Sequence, residues 1–365
     1  MRISGKSVAA VMVTFLFACQ PGFAQFKTAL PGYHYEFPRD FFSHPDFQTE
    51  WWYYTGNLQT ATGRKFGFEL TFFRSGVTRD PGKSSTWDIR DLYLAHFAVS
   101  DVEGQTFFHM ERSNRAGPGI AGAEQTQHKV WNGNWSVAWR NDEEHLIALA
   151  DGFSLDLALQ PQKTPVIHGE NGVSQKSLGD GHASHYFSQT RLRASGSMVV
   201  RSNIYKVEGL AWMDHEFFTN QFGPDQAGWD WLSLQLDDNS ELMLFHIRKK
   251  DGTIDPFSAG TFVDAQGHSH HLRAKNFQLT PLGDTWSSPV TRATYPIQWA
   301  IAVPSLGLVL KASTQLPSQE LTTDANFVPN YWEGAIDVNG TSNSGSVHGH
   351  GYLEMTGYDK PVRTP

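Results

Sequence analysis

The chain has 365 residues, 18% of them charged and 13% aromatic, with a formal net charge of −8 and one cysteine. That length suits two domains, each able to bury a sizeable core, and a lone cysteine rules out an intramolecular disulfide framework. An acidic chain without a run of Lys and Arg argues against a nucleic-acid partner, which needs clustered cations.

Residues 1–24 read as a leader outside the fold. Arg2 and Lys6 form a positive start, Val8 to Ala18 an apolar stretch, and Gly22-Phe23-Ala24 a small-x-small cleavage site, the pattern of a secretory signal peptide. The apolar stretch is too short to span a bilayer as a mature helix. Cys19 closes Leu16-Phe17-Ala18-Cys19, which has the form of a lipobox. Two routes stay open: cleavage after Ala24 into a soluble protein, or a lipid anchor on Cys19 as the sole membrane contact. Both place the mature chain in the periplasm or cell envelope. Loss of Arg2 and Lys6 takes the formal charge from −8 to −10.

From there the periodicity is that of strands. Trp51-Trp52-Tyr53-Tyr54 leads through a Thr-Gly turn into a second apolar run, the pattern of a hairpin. Short alternating runs follow, bounded by Asp, Asn and Gly; Phe153, Leu155, Leu157 and Leu159 alternate strictly. Residues 113–130 and 161–182, rich in Gly, Gln and His, read as long loops over the mouth of the first domain. NQFGPDQAG has loop composition and places a boundary near residue 222, giving an N-terminal domain over 25–222 and a C-terminal one over 223–365. After it the strand pattern resumes to the end, and no long capped helical period is present. The expected fold is all-β, antiparallel, of barrel or sandwich type.

One pattern occurs twice. Val207, Gly209, Trp212, Met213 and Asp214 recur at the same offsets as Val347, Gly349, Tyr352, Leu353 and Glu354. Upstream, His185 and Phe187 have their echo in Asn330 and Trp332. A repeat of about 140 residues has the size of a domain, not of a solenoid unit.

In each copy an aromatic precedes a carboxylate by two residues, so both side chains share one face of a strand. His185 and Phe187 on one strand, with Trp212, Asp214, His215 and Glu216 on its neighbour, are expected to line one concave pocket in the first domain, with Asn330, Trp332, Tyr352 and Glu354 equivalent in the second. An acid enclosed by aromatics is kept protonated by desolvation and can protonate an alkene or carbonyl, while ring faces stabilise the cation formed. The plainer alternative makes Asp214 a turn cap and His185 a satisfied core histidine. Trp51, Trp52 and Tyr53 read either as a pocket wall or as an aromatic cluster closing a barrel around Gly56. His268, His270 and His271 read as a surface hairpin loop, and His348 and His350 share a strand face without a further ligand. No metal site is expected. His215-Glu216 lacks the second His of a zincin, and neither a nucleophile elbow nor a nucleotide-binding Gly motif occurs.

DFQTEWWYYTGNL, GRKFGFELTFFR, HYFSQTRLRASG, GLAWMDHEF, GWDWLSLQLDDNSELMLFHIR and YWEG with GHGYLEMTGY resemble, over essentially the whole mature chain, the carotenoid 1,2-hydratase family, which includes the AttH-like proteins. The resemblance implies two tandem lipocalin-like antiparallel β-barrel domains and neither metal nor organic cofactor. It implies proton donation by Asp214 with His185 beside it; Trp212 and Phe187 stand where those hydratases carry Tyr and Trp. Two functions follow. One is an exported protein of hydratase-like ancestry that binds an apolar lipid, isoprenoid or polyketide-like molecule, with ABC-transporter components as partners. The other is a cofactor-independent hydratase or cyclase using Asp214 as general acid on an apolar alkene.

Overall fold

The computed structural model describes residues 26–83, 85, 87–323 and 329–362. The leader, with Cys19 and both of its candidate processing sites, lies outside the described residues. Among those residues no helix is long and apolar enough to cross a membrane, and helix is confined to single 3₁₀ turns.

The strands are β1 (Thr49–Gln59), β2 (Lys65–Gly76), β3 (Asp91–Asp101), β4 (Thr106–Arg115), β5 (Ala121–Glu124), β6 (Lys129–Asn132), β7 (Trp135–Arg140), β8 (Glu143–Ala150), β9 (Phe153–Pro161), β10 (Val166–Ile167), β11 (Ser174–Gln175), β12 (Ala183–Val200) and β13 (Asn203–Phe218). Then come β14 (Gln226–Leu236), β15 (Glu241–Lys249), β16 (Ala259–Val263), β17 (Ser269–Arg273), β18 (Gln278–Pro281), β19 (Thr285–Ser287), β20 (Thr294–Pro296), β21 (Gln298–Val303), β22 (Leu308–Ser313), β23 (Glu320–Leu321), β24 (Tyr331–Ser342) and β25 (Gly345–Thr356).

All strands up to Phe218 except the short flanking pairs run in the order β4-β3-β2-β1-β13-β12-β9-β8-β7-β6-β5, with β10 and β11 on β12. The strands from Gln226 run β17-β16-β15-β14-β25-β24-β22-β21-β18, with β23 on β24 and β19–β20 as a separate hairpin. The internal repeat is therefore topological. In each sheet a long terminal hairpin, β12–β13 or β24–β25, lays its second strand beside the first long strand, β1 or β14. The first sheet nearly closes and the second forms a half-barrel, in the lipocalin-like manner. Buried Asn132 spans the seam of the first. Its Nδ2 donates to the carbonyls of Tyr93 and Arg112 at 3.2 Å each, and its Oδ1 accepts from Asn114 Nδ2 at 2.6 Å.

Two stretches expected to be loops are partly strand. Residues 113–130 hold the end of β4, all of β5 and the start of β6, and residues 161–182 hold β10 and β11. Their composition signals turns, yet pairing at a sheet edge needs only backbone hydrogen bonds. His268 sits in a turn on Asp264, but His270 and His271 belong to β17.

The alternation on β9 sends Phe153, Leu155, Leu157 and Leu159 into the first core, with Trp52, Tyr54, Phe68, Phe97 and Trp135. Leu232, Trp299, Leu310, Trp332 and Met355 build the second. The central strands have no solvent-facing side where the two sheets meet. The outer side of β1, β2, β12 and β13 packs on the outer side of β14, β15 and β25 through Tyr53, Tyr186, Trp212, Trp231, Met243, Phe245 and Tyr352. Burial on both faces explains the near-continuous apolar runs of these strands. Gly67 lies at this contact, where a Cβ would stand 2.8 Å from Ala335 Cβ and 3.1 Å from Tyr352 Oη. Gly67→Ala should therefore push the two sheets apart and cost about 1–3 kcal/mol, measured as a fall in the urea midpoint; unchanged stability would show that the contact is loose.

Candidate functional site

Residues paired across an antiparallel ladder share a face. On β12 and β13 the pairs are His185 with Phe217, Phe187 with His215, Ser188 with Asp214 and Tyr186 with Glu216. Asp214 thus stands three residues from the partner of His185, on the opposite face. The expectation of one pocket shared by His185, Phe187, Trp212 and Asp214 is corrected. The two sequence blocks pair out of phase by one residue, and one residue reverses a side chain.

His185, Phe187, His215 and Trp52 point into the first barrel. His185 Nδ1 donates to the Gly172 carbonyl at 2.9 Å, and its ring lies 4.3 Å from that of Tyr33 and 5.0 Å from that of Phe217. Burial pushes its pKa down to about 4, so it is a neutral core histidine. The EWWYYTG block divides in the same way: Trp52 and Tyr54 fill the barrel, while Trp51 and Tyr53 face the second sheet.

His215 belongs to a buried charge network at the barrel end. His44 Nδ1 and His215 Nε2 meet Glu50 Oε1 at 2.8 and 2.9 Å. These ligand-type atoms lie within 4.8 Å of one another, close enough to hold a cation. Arg74 already supplies one: its Nε donates to Glu50 Oε2 at 3.0 Å, and its Nη2 to the carbonyls of His44 and Phe47. His44 also meets Asp40 Oδ1 at 3.1 Å. The cluster reads as an ion-pair network that anchors β1 and β2 to the preceding loop.

The residues brought together with Asp214 lie between the sheets. Trp212 Nε1 donates to Asp214 Oδ1 at 2.6 Å, Ser188 Oγ donates to the same oxygen, and Tyr186 Oη donates to Oδ2 at 2.5 Å. Trp231 Nε1 of the second sheet donates to Tyr186 Oη at 3.1 Å. His168 bridges Ser188 Oγ (2.6 Å, through Nε2) and Thr261 Oγ1 (2.8 Å, through Nδ1). Burial holds His168 neutral, with Lys176 adding to the effect. With Ser188 donating to Asp214, the consistent tautomer donates from Nε2 to Ser188 and accepts at Nδ1 from Thr261. Burial raises the Asp214 pKa to about 7, against the lowering effect of its three donors. Trp212 N–H can only donate, so Oδ1 remains an acceptor and a proton on Asp214 belongs on Oδ2, where the Tyr186 hydroxyl can turn to accept it.

Tyr186, Ser188, His168, Thr261 and Trp231 escaped the sequence reading. Tyr186 and Ser188 are the intervening positions of the block already singled out. His168 lies in a stretch read as loop, and the rest come from the other half of the chain.

The second sheet supplies the counterpart. Tyr352 and Glu354 face the first sheet, whereas Trp332 enters the second core and Asn330 bonds Asp359 Oδ2 at 2.9 Å. Asp214 pairs with Tyr53, and Glu354 with Trp231; those two rings meet edge-on at 5.2 Å. Burial raises Glu354 and Glu69 to about 8, and Glu333 well above its usual range. Tyr53 Oη donates to Glu333 Oε1 at 2.6 Å. Both Glu69 oxygens, Glu333 Oε2, the Thr55 and Thr71 hydroxyls and Tyr352 Oη have no hydrogen-bond partner among the described residues. Thr71 lies near enough to lower the Glu69 pKa, outside hydrogen-bond geometry. Glu354 lies between the sheets and is half-buried. Cavities of about 420 and 260 Å³ open at the rim of the contact and share Leu210, Asp337 and His350. Neither is lined by Asp214. The smaller reaches Ala335 and Gln319, beside Gly67 and Tyr352. The site is therefore an aromatic-walled contact between two half-related sheets, holding neutral acids that can release a proton near neutral pH.

The AttH-like family profile matches residues 28–358, and the chain belongs to that family. The crystal structure of a candidate AttH from Nitrosomonas europaea is 34% identical and superposes with a TM-score of 0.82 over 91% of this chain and 100% of its own. Kievitone hydratase from Nectria haematococca shares the fold at 17% identity, with a TM-score of 0.71 over 93% of this chain and 98% of its own. In sequence, the dehydratase asqC of Emericella nidulans is 20% identical over 312 residues, 82% of this chain and 83% of that protein. These relatives support a hydratase-like ancestry.

The buried acids give the stability a definite pH dependence. Asp214, Glu354 and Glu69 have folded-state pKa values of about 7, 8 and 8, against ordinary values of 3.8, 4.5 and 4.5. Between those limits the folded chain binds more protons than the unfolded one. Their burial is fully tolerated below about pH 4 and becomes progressively destabilising as pH rises through about 8. The urea midpoint should fall between about pH 5 and pH 9, and Glu69→Gln, which keeps the shape and removes one titration, should flatten that fall. A midpoint that rises over this interval would contradict the assignment of neutral acids.

Proposed function

We propose that the chain adds water to, or removes it from, a carbon–carbon double bond of an apolar small molecule bound between the two sheets, with Asp214 as the proton donor. One observation carries this reading: an acid held at a pKa of about 7 by burial, with its oxygens oriented by Tyr186, Ser188 and Trp212. An acid so poised is half protonated near neutral pH, where general acid catalysis is most effective.

In the hydration direction, the proton on Asp214 Oδ2 moves to one alkene carbon and the positive charge develops on the other. The rings of Trp212, Tyr186 and Trp231 lie around Asp214, and aromatic faces attract cations. Water adds to the cation, and its surplus proton returns to the Asp214 carboxylate. Dehydration runs the same steps backwards, with Asp214 protonating the departing hydroxyl. The hydratase and the dehydratase among the similar proteins support either direction. Trp212 contributes an N–H that fixes Oδ1 and a ring beside the cation. In this reading Glu216 and Tyr53 flank the acid between the sheets, Trp51 lies at the edge of that contact, and His185 stabilises the barrel that carries β12. The apolar ligand reaches the protein in the cell envelope, where an ABC-transporter component is the proposed partner.

Incubation in heavy water with a panel of isoprenoid alkenes and the corresponding tertiary alcohols tests the reaction, with deuterium incorporation followed by mass spectrometry. Asp214→Asn should lower turnover by roughly 10²–10⁴-fold while ligand affinity changes little. Full turnover in Asp214→Asn would place the acid elsewhere. Binding without exchange in either form would identify a carrier.

A further inference from the structure

Lys176 follows β11 and is tied in by its backbone: its N–H donates to the His182 carbonyl at 2.9 Å, and its own carbonyl accepts Gln226 Nε2 at 2.8 Å. The side chain is 5% exposed and runs into the contact between the sheets. There Nζ lies 3.9 Å from the ring centre of Phe245 and 5.0 Å from that of Tyr186, the residue that bonds Asp214. The nearest charged oxygen is Glu216 Oε2 at 3.9 Å, beyond hydrogen-bond distance, and that oxygen already accepts Gln221 Nε2 at 2.7 Å. An ammonium carries three N–H donors, and none of these forms a hydrogen bond to a described residue.

Aromatic faces attract an ammonium but do not replace its water, and a buried charge without an acceptor is costly. Nearby acids do not supply the missing counter-charge in full. Burial raises the pKa of both Glu216 and Asp214, which weakens the negative charge that either carboxyl offers the amine. Burial accordingly lowers the Lys176 pKa in spite of both carboxyls. His168, on the other side of Ser188, is neutral as well. The amine is thus an under-satisfied donor beside the proposed proton donor, walled by Tyr186 and Phe245.

We infer that Lys176 anchors a negatively charged oxygen of the ligand, a carboxylate or an enolate, and so holds the apolar remainder against the rings beside Asp214. This rests on the reading of the inter-sheet contact as the ligand site and names the ligand class: an apolar molecule with one acidic oxygen function. The ring walls accept the tail, and the three free N–H donors fix the head. Lys176 is then the residue that selects the ligand and sets its orientation, while Asp214 remains the proton donor.

Decanoate and decanol, which share a tail and differ in the head, are the probes, and quenching of Trp212, Trp229 and Trp231 reports binding. Wild-type protein should bind decanoate at least about tenfold more tightly than decanol, as expected for a hydrogen-bonded charge pair. Lys176→Met should abolish that preference and leave decanol binding unchanged; Lys176→Arg should retain most of it. Circular dichroism and the urea midpoint establish that both variants fold. Equal affinities in the wild type, or failure of both probes to bind, overturn the proposal with no variant needed. Equal weakening of both probes in Lys176→Met also overturns it, since a lysine that only braces its loop behaves so. Deuterium exchange in the alkene panel is read separately. A wild type without decanoate preference but with exchange intact rejects the anchor alone, and a wild-type preference without exchange rejects the hydro-lyase reading alone.

Discussion

The structure depends on the burial of both faces of its central strands. A sheet that shows one face to water can alternate apolar and polar residues, but β1, β12 and β13 cannot. Their inner face fills the first barrel with Trp52, Tyr54, Phe187 and Met213, and their outer face is covered by β14, β15 and β25. Polar groups on the covered part of that outer face are therefore desolvated. Carboxyl groups placed there must be paired with a cation or held neutral. Both solutions occur. Inside the barrel, Glu50 is ionised by Arg74, with His215 and His44 alongside, and its pKa lies well below the ordinary range. Between the sheets, Asp214, Glu354, Glu69 and Glu333 form no ion pair with a described residue, and burial raises their pKa values.

Duplication explains why the acids come from both halves. The order β3-β2-β1-β13-β12 repeats as β16-β15-β14-β25-β24, and the two copies face each other. Tyr53 corresponds to Trp231, and Asp214 to Glu354, by their ladder positions. The copies have since diverged in what surrounds the acid. Asp214 receives three donors, whereas Glu69 and the free oxygen of Glu333 receive none from described residues. A carboxyl with a full set of donors is fixed in orientation, which suits proton delivery. Unfilled acceptors and hydroxyls around Glu69 suit bound water instead. Each barrel is packed with its own aromatic residues, and the cavities of about 420 and 260 Å³ open at the rim of the contact between the sheets.

The sequence by itself determined a good deal. Alternation such as that of Phe153 to Leu159, turn residues between short runs and the absence of a helical period specify an antiparallel all-β fold, because side-chain period and turn chemistry are local properties. The repeat of Gly209-x-x-Trp212-x-Asp214 as Gly349-x-x-Tyr352-x-Glu354 specified duplication and the pairing of an aromatic with an acid. Residues two apart share a strand face wherever the strand sits. Asp214, Trp212 and Glu216 could be placed on one face for that reason.

Only the tertiary structure decided which face was which. Period two gives relative orientation within a strand but not the register between strands. The pairing of Ser188, not His185 or Phe187, with Asp214 moved His185, Phe187, His215 and Trp52 to the opposite side. His168, Lys176, Thr261 and Trp231 could not be assigned from their own neighbourhoods, because each reaches the site from a different element. Two of them come from the other half of the chain. Nor does sequence reveal whether an acid is desolvated: the raised pKa of Asp214 arises from a second sheet laid over it, which no local pattern encodes.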